Sequence, residues 1–207
     1  MSPMQEIVLA SGNAAKLREL QETLGSAHIR FIPQTGLAIP DAVEDGLSFV
    51  ENALIKARHA SQLSGLPALA DDSGLEVDAL GGEPGIHSAR YAADEYENGA
   101  NGNSDDEANN RKLLERLAAV PMAQRSARFH CVIVFMRHAR DPVPLICQGS
   151  WEGRILPAPV GHHGFGYDPL FYVPSHDCSS AQLPPEIKNR LSHRGQAIRQ
   201  LLARWAP

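Results

Sequence analysis

The stretch Leu66-Pro67-Ala68-Leu69-Ala70-Asp71-Asp72-Ser73-Gly74 joins a short apolar run to two adjacent carboxylates, a hydroxyl and a glycine. Neighbouring side chains of an extended strand point to opposite faces of a sheet, so Asp71 and Asp72 have different surroundings. We expect one carboxylate to face a cleft, where it is available for chemistry, and the other to hold the local backbone.

The residues after the carboxylates favour a tight turn. A serine hydroxyl can bond its own backbone and glycine tolerates positive φ, so Ser73 and Gly74 suit such a turn. Leu75 and Val77 then alternate with polar residues, as in a half-buried strand. The pattern predicts a hairpin with its turn at 71–74. Taken alone, these residues are better explained as an ordinary acidic turn than as a functional site. Other segments of the chain are needed to distinguish the two interpretations.

The composition is typical of a globular protein. The chain has 207 residues, of which 43% are apolar and 21% charged, and its formal net charge is −5. This length suits a single domain over 1–207, built as one body or as two closely packed lobes. Nucleic-acid binders and membrane-surface binders display a basic face, so the acidic balance argues against both classes.

The cysteines and the apolar runs indicate a cytoplasmic location. Cys131, Cys147 and Cys178 are odd in number and lack C-x-x-C spacing, which favours buried thiols of a reducing compartment over a zinc site. The N-terminus has no basic segment before its brief apolar run. The longest apolar run, 131–136, is too short to span a bilayer.

A strand followed by a helix near the N-terminus suits phosphate. Ile7-Val8-Leu9-Ala10 is a continuous apolar run, and Ser11-Gly12-Asn13 separates it from a helical pattern. The free backbone N–H groups and the helix dipole at such a junction favour an anion, and Lys16 adds a positive charge. A capped helix with a solvated lysine is the alternative interpretation.

Strands and helices alternate along the chain, which predicts an α/β fold with a mixed sheet. Asn52 and Lys56 share one face of a predicted helix, so both can reach a common ligand, although surface residues are the default interpretation. The elements predicted after the first helix are a strand over 28–32, a helix over 48–64, a mobile acidic loop over 93–110, a helix around 113–117, a strand pair over 128–137 and 143–149, a strand over 170–173 and an amphipathic terminal helix.

Two segments near the C-terminus carry aromatic and basic residues. His162-His163-Gly164-Phe165-Gly166-Tyr167-Asp168-Pro169 is a glycine-rich loop, and an aromatic ring between glycines can stack on a planar ligand. Neighbouring histidines rarely bind one ion, which disfavours a metal site in this loop. Lys188, His193 and Arg194 precede or open the terminal helix, and an ordinary solvated face is their alternative interpretation.

These features together fit a nucleotide with a polyphosphate tail. Glu44 and Asp72 can hold Mg²⁺, which prefers a few carboxylate oxygens together with water and phosphate oxygens. Phe165 can stack on a base. The charged residues that complete the set are Lys16, Lys56 and Lys188 for the phosphates and Asp168, His193 and Arg194 for the polar edge of the base.

Six motifs in this order resemble the inosine triphosphate pyrophosphatase family, and the resemblance runs nearly from end to end. Each motif is weak alone, whereas the six in order are highly specific. They are Ser11–Lys16 with Glu19, Glu51-Asn52-Ala53 with Lys56-Ala57, Ala70–Leu75, Gly85 with Ser88–Tyr91, Gly164–Pro169, and Ser192–Gly195.

The resemblance implies an elongated α/β fold with a mixed central sheet, flanking helices and a cleft between two lobes. It also implies a homodimer and the Mg²⁺-dependent hydrolysis of ITP, dITP and XTP to monophosphate and pyrophosphate. Asp72 would be the proton acceptor and, with Glu44, a metal ligand. The implied substrate-binding residues are Ser11, Gly12, Asn13, Ala14, Ala15, Lys16, Ser73, Phe165, Gly166, Tyr167, Asp168, Lys188, His193 and Arg194.

Two other function classes fit part of the pattern. A hydrolase of the related Maf type would act on pyrimidine or modified-base triphosphates, and substrate profiling separates it from the first interpretation. A non-catalytic nucleotide sensor would keep the phosphate and stacking residues but would not need Asp72 and a metal. The acidic pair therefore favours an enzyme.

Overall fold

The computed structural model describes residues 5–11, 29–93 and 105–205. The strands in these ranges are β1 (Gln5–Leu9), β2 (Ile29–Pro33), β3 (Ala68–Val77), β4 (Ser126–Met136), β5 (Leu145–Ile155), β6 (Phe171–Val173) and β7 (Cys178–Ser179). The α-helices in these ranges are α1 (Phe49–Ser64), α2 (Asp106–Arg116), α3 (Pro185–Leu191) and α4 (His193–Arg204).

The strands form one seven-stranded sheet in the order β2-β1-β3-β4-β5-β6-β7. β1 is parallel to β2 and β3, whereas β6 is antiparallel to β5 and β7. The mixed sheet predicted from the sequence is therefore confirmed. β5 continues to Ile155, beyond the predicted end at Gly149, and its second half alternates buried and exposed residues as a half-buried strand does.

The predicted hairpin at 71–74 is wrong. β3 is one continuous ten-residue strand that runs through both carboxylates and Gly74. It lies between β1 and β4 in the sheet, and eight of its ten residues are buried. Pairing of β3 with a neighbour on each side outweighs the local preference of Ser73 and Gly74 for a turn.

The chain divides into two compact units, and the first contains the described residues up to Asp72, residues 131–149 and those from 196 onward. Ile7, Val8 and Leu9 of β1 are buried on both faces of the sheet, as the apolar run there predicts. Alternate strand residues pack against α4 in a cluster that includes Ile7, Leu9, Leu69, Ile198 and Leu201. The intervening residues pack against α1 in a cluster that includes Val8, Ala68, Ala70, Ala53 and Ala57.

The second unit contains the described residues of 73–130 and 150–195. Its apolar cluster packs the sheet against α2 and includes Leu75, Val77, Leu113, Phe129, Trp151 and Phe171. A Cβ on Gly153 would lie 2.5 Å from the Phe171 ring, so glycine is required for this close approach. Charged residues lie between the apolar positions of these strands, and Arg128 there pairs with Glu76, Asp78 and Glu152.

The helix over 48–64 is confirmed as α1. Its N-cap is Ser48, whose hydroxyl oxygen accepts a hydrogen bond from Glu51 N, and its C-cap is Gly65 with φ of 72°. α2 begins at Asp106, inside the segment predicted as a loop, and Asp105 caps it by accepting from Ala108 N. The first turns of α2 are polar, so the apolar pattern located only its second half.

Parts of two predicted elements lie outside the described residues: the helix expected after Asn13, and residues 94–104 of the predicted loop. Cys131 and Cys147 are buried in β4 and β5, Cys178 is partly buried, and none of them forms a disulfide. Within the three described ranges, every helix is too short or too polar to cross a membrane.

Candidate functional site

In the first unit, Lys56 lies between the two residues that the sequence suggests as metal ligands. Its ammonium donates a hydrogen bond to Asp72 Oδ1 at 2.7 Å and forms an ion pair with Glu44 Oε2 at 3.3 Å. The Lys56 and Asp72 side chains are only 13% and 10% exposed, so water screens this contact weakly. Two carboxylates therefore converge on one largely covered cation.

The alternation of β3 places Asp72 beside Lys56. Ala68 and Ala70 pack against α1, and Asp72 is the next residue in the same alternation, so its side chain is on the α1 face. Asp71 belongs to the opposite alternation, shared with Leu69. The expectation that the two carboxylates have different surroundings holds even though they lie within a strand rather than at a turn.

The surrounding carboxylates hold the charge on Lys56. Burial by itself would lower the pKa of Lys56, but the negative charges of Asp72, Asp71 and Glu44 outweigh burial, and the pKa is raised. Lys56 is therefore protonated at neutral pH, and it offsets part of the charge of this acidic group.

The loop that carries Glu44 is fixed to the start of α1. Gly46 N donates to Asn52 Oδ1 at 2.9 Å, and Leu47 N donates to Glu51 Oε2 at 3.0 Å. A Cβ on Gly46 would lie 2.7 Å from Asn52 Oδ1, which is too close for any other residue type. Asn52 is fully buried. The sequence suggested Asn52 as a ligand-binding residue, and the structure shows that it holds the Glu44 loop.

The glycine-rich loop of the second unit is built around Asp168, which is 4% exposed. Asp168 Oδ2 accepts hydrogen bonds from Phe165 N at 2.9 Å and Lys188 Nζ at 2.5 Å, and Oδ1 accepts from Ser180 Oγ at 2.8 Å. Gly164 has φ of 84°, and a Cβ there would collide with the Asp168 carboxylate. Asp168 therefore fixes the loop, and its contact with a substrate stays a prediction.

Phe165 is half-buried, with two cations near its ring. Lys188 Nζ lies 5.4 Å and Arg194 Cζ 5.7 Å from the ring centroid, within the range of cation–π attraction. Arg194 Nη2 also donates to Ser73 Oγ at 3.5 Å. The structure thus brings together four of the residues that the resemblance assigns to the substrate.

Two further predicted substrate residues are buried in the second unit. His193 is 7% exposed and stacks on Phe129, with ring centroids 4.8 Å apart and planes 15° apart. The Tyr167 hydroxyl donates to Ser88 O at 2.8 Å, and burial raises the pKa of Tyr167, so this hydroxyl stays protonated. Both side chains support the loop and its surroundings, and their contact with a substrate stays a prediction.

Ser11 is the one residue of the predicted phosphate-binding segment that belongs to the described residues. Ser11 lies two residues after the end of β1, next to Ala10, whose N–H donates to Leu69 O at 2.8 Å. The remaining predicted phosphate residues, Gly12, Asn13, Ala14, Ala15 and Lys16, lie outside the described residues.

Three polar residues that contact the loop were not predicted from the sequence. Besides Ser180, these are Asp106, whose Oδ2 accepts from Gly166 N at 2.6 Å, and Asn110, whose Nδ2 donates to Gly166 O at 2.9 Å. The i, i+4 spacing of Asp106 and Asn110 places them on one helix face. No local pattern connects that face to a glycine 56 residues further along the chain.

The acidic group of the first unit fits a hard cation. In the parts of the chain that the structure describes, no cluster of three or more His, Cys, Asp or Glu side chains could hold a metal ion. Glu44 and Asp72 nevertheless both contact a single cationic atom, Lys56 Nζ. Mg²⁺ commonly takes one or two carboxylates and completes its shell with water and phosphate oxygens, so this donor set fits Mg²⁺.

Similarity to known proteins extends over almost the whole chain. Residues 7–204 match the model of the Ham1 family. The dITP/XTP pyrophosphatase of Pseudomonas aeruginosa is 57% identical over 205 residues, which are 99% of this chain and 98% of that protein. The dITP/XTP pyrophosphatase of Escherichia coli strain K12 is 52% identical over 199 residues, which are 96% of this chain and 97% of that protein.

Solved structures show the same similarity. A HAM1 protein from Coxiella burnetii is 54% identical and superposes with a TM-score of 0.87, covering 97% of this chain and 98% of that one. The Ham1 protein of Staphylococcus aureus is 40% identical and has a TM-score of 0.81, covering 96% of this chain and 97% of that one.

Proposed function

The chain belongs to the Ham1 family, and we propose that it is a hydrolase of noncanonical purine nucleoside triphosphates, as its relatives named dITP/XTP pyrophosphatase are. Its products are the nucleoside monophosphate and pyrophosphate, from ITP, dITP and XTP. The observation that carries the proposal is the convergence of Glu44 and Asp72 on Lys56. Such an enzyme removes deaminated purines from the nucleotide pool before polymerases use them.

Glu44 and Asp72 are the residues that would hold Mg²⁺. The ion would supply positive charge next to the phosphate oxygens on which negative charge develops. The loop contacts of Glu44 and the strand position of Asp72 keep the two carboxylates at fixed places in the first unit.

Asp72 acts as the proton acceptor in the proposed reaction. A water oxygen bonds to the α-phosphorus, the bond from that phosphorus to the bridging oxygen breaks, and pyrophosphate leaves. The proton of the water passes to Asp72. Lys56, which touches Asp72, keeps a positive charge beside the reacting phosphate and offsets the charge that moves to the leaving group.

The second unit provides the base-binding residues in this proposal. Phe165 stacks on the purine, and Lys188, Arg194 and Ser73 supply donors next to its ring. Hypoxanthine and xanthine carry an O6 acceptor where adenine carries an amino donor. A set of donors therefore leaves groups unpaired with ATP, and sites built in this way discriminate by about 10⁴–10⁵.

Three further expectations belong to the proposal. The segment from Ser11 to Lys16 binds the substrate phosphates, the protein is a homodimer, and it works in the cytoplasm as one domain over 1–207. Light scattering coupled to gel filtration tests the homodimer, because a monomer mass at micromolar concentration contradicts it.

A product assay tests the proposed function. The purified protein is incubated with ITP, dITP, XTP, GTP or ATP, with Mg²⁺ or with EDTA, and pyrophosphate and orthophosphate are quantified separately. We expect pyrophosphate from ITP, dITP and XTP only, and only when Mg²⁺ is present. Orthophosphate as the first product would show that water attacks the terminal phosphorus and would contradict the proposed reaction. Turnover of pyrimidine triphosphates alone would favour the Maf-type alternative.

A further inference from the structure

We propose that Asp106 and Asn110 of α2 are positioning residues that hold Phe165 in place and thereby set the affinity for the purine base. The inference rests on the proposed function, because it assumes that Phe165 stacks on the substrate. Neither residue belongs to the motifs that carry the family resemblance.

Asp106 and Asn110 bind both backbone polar groups of one loop residue. Gly166 N donates to Asp106 Oδ2 at 2.6 Å, and Gly166 O accepts from Asn110 Nδ2 at 2.9 Å. The two side chains are four residues apart, so they leave α2 on the same face and reach the same peptide segment. The carboxylate makes the bond to Gly166 N charge-assisted and correspondingly strong.

The loop needs such a support because glycines flank its aromatic residue. Gly164 and Gly166 both have positive φ, 84° and 61°, and glycine loses more conformational freedom on ordering than any other residue. Phe165 N is held by Asp168 on one side. Gly166 is held from α2 on the other side, so the backbone on both sides of the Phe165 side chain is fixed.

Asn110 has a buried oxygen without a hydrogen-bond partner in the described part of the chain, which supports a role in positioning the loop rather than in stabilising the fold. Its Oδ1 is buried and has no hydrogen-bond partner anywhere in the described ranges. An unpaired buried acceptor is destabilising, and an apolar side chain at this position would avoid that cost. We infer that asparagine is present at this position because its Nδ2 group donates a hydrogen bond to Gly166 O.

Packing and a hydrogen bond hold α2 in place, so it can fix the residues that it contacts. Leu113 and Leu117 are fully buried in the core of the second unit. Asn109, on the turn between the two positioning residues, accepts a hydrogen bond from Ala92 N at 2.9 Å. A site held by a packed helix is more precise than one held only by its own loop.

The test measures base affinity separately from the chemical step. For Asp106→Ala and for Asn110→Ala, we expect KM for ITP to rise about 5- to 20-fold with kcat changed less than about 2-fold. Binding of inosine monophosphate, measured by calorimetry, should weaken by a similar factor. Inhibition by tripolyphosphate, which has no base, should not change.

Two further variants separate positioning from a general effect on α2. Asp106→Asn keeps an oxygen that can accept from Gly166 N, so it should restore most of the affinity. Glu107→Ala removes an exposed carboxylate from the same helical turn and should behave like the wild type. Circular dichroism confirms that each variant is folded.

The outcomes are distinguishable from those of the proposed function. Failure of the wild type to hydrolyse ITP rejects the proposed function. Normal hydrolysis by the wild type, together with unchanged KM and monophosphate binding in both alanine variants, overturns the positioning role. Equal effects of Asp106→Ala and Glu107→Ala, or a fall in kcat without a change in KM, overturn it as well.

Discussion

Lys56 donates a hydrogen bond to Asp72 Oδ1 at 2.7 Å, from a helix to the strand that passes beneath it. The contact holds a protonated amine against the carboxylate that we propose as the proton acceptor. A buried carboxylate is stable only when a cation or several donors compensate for its lost hydration. Lys56 therefore stabilises the ionised form of Asp72, which is the form that can accept a proton.

Asp72→Asn should nearly abolish turnover. Asparagine keeps the size of the side chain and an oxygen that accepts from Lys56, but it cannot take a proton and is a poor ligand for Mg²⁺. The general-base contribution alone is about 10²–10⁴ in rate. Pyrophosphate release from ITP measures the effect, with Glu115→Gln, an exposed change of a carboxylate to an amide in α2, as the control. Retention of more than about a tenth of the wild-type rate in Asp72→Asn contradicts the assignment.

Lys56→Gln should lower kcat/KM for ITP by about 10²-fold, because a positive charge beside the reacting phosphate is lost. The same change leaves Glu44 and Asp72 without their shared cation. The variant should therefore melt at a lower temperature in EDTA and recover in Mg²⁺ more than the wild type does. Arg58→Gln, an exposed change on the same helix, is the control. An identical response of Lys56→Gln and the wild type to Mg²⁺ would show that the carboxylates do not share an ion.

Gly164→Ala should weaken base binding and stability together. A side chain at positive φ costs about 1–2 kcal/mol, and here the added Cβ also collides with the Asp168 carboxylate. Gly81→Ala is a matched control, because Gly81 has φ of 65° but open space around its Cβ position. Thermal melting and KM for ITP are compared in both variants. Equal losses in the two would mean that the Asp168 contact adds nothing beyond the backbone strain.

Asp141 should contribute to stability at neutral pH and lose that contribution in acid. Hydrogen bonds from the Arg137 guanidinium hold the pKa of the Asp141 carboxyl well below its usual range, although burial alone would raise it. The unfolded chain binds a proton at this carboxyl below about pH 4 and the folded chain does not. The contribution of Asp141 to the free energy of unfolding is therefore fully present above about pH 4, and it decreases as the pH falls below that value.

Two variants measure this contribution of Asp141. Asp141→Ala also leaves the N–H groups of Arg137 and Val143 without their acceptor, which should cost about 1–3 kcal/mol at pH 7. Asp45→Asn changes an exposed carboxylate and is the control. Urea unfolding at pH 7 and pH 3 gives the free energies. A difference between Asp141→Ala and the wild type that is as large at pH 3 as at pH 7 would contradict the linkage.

Much of the fold was predictable because its signals are local. The apolar run in β1 predicted a strand buried on both faces. The helix α1 begins after its N-cap Ser48 and ends before its C-cap Gly65, which are the limits that the sequence predicted. The motifs likewise singled out Asp72 and Phe165 as candidate site residues, and their roles toward a substrate stay predictions. These features depend on residue type and spacing within a few positions, which a sequence displays directly.

The features that were not predictable depend on partners distant in the sequence. Ser73 and Gly74 favour a turn locally, but strands on both sides of β3 keep the chain extended. The contact of Asp168 with a base stays a prediction, but the sequence did not predict that its oxygens accept hydrogen bonds from Phe165, Ser180 and Lys188. Asp168 lies between Tyr167 and Pro169, and nothing in that local sequence points to Ser180 or Lys188, so these bonds become visible only in the fold.

The alanine side chains of α1 determine which of two neighbouring carboxylates meets Lys56. Inserting one residue early in β3 would exchange its two faces and bring Asp71 to the position of Asp72. A carboxylate would still lie beside Lys56 after this change of register. Leu69, however, would take the place of Ala70 and face α1, where Ala53 and Ala57 pack on the alanines of the strand. A leucine in place of an alanine in this packed cluster would overpack it, which is destabilising. Apolar volume, more than charge, therefore sets the register of β3.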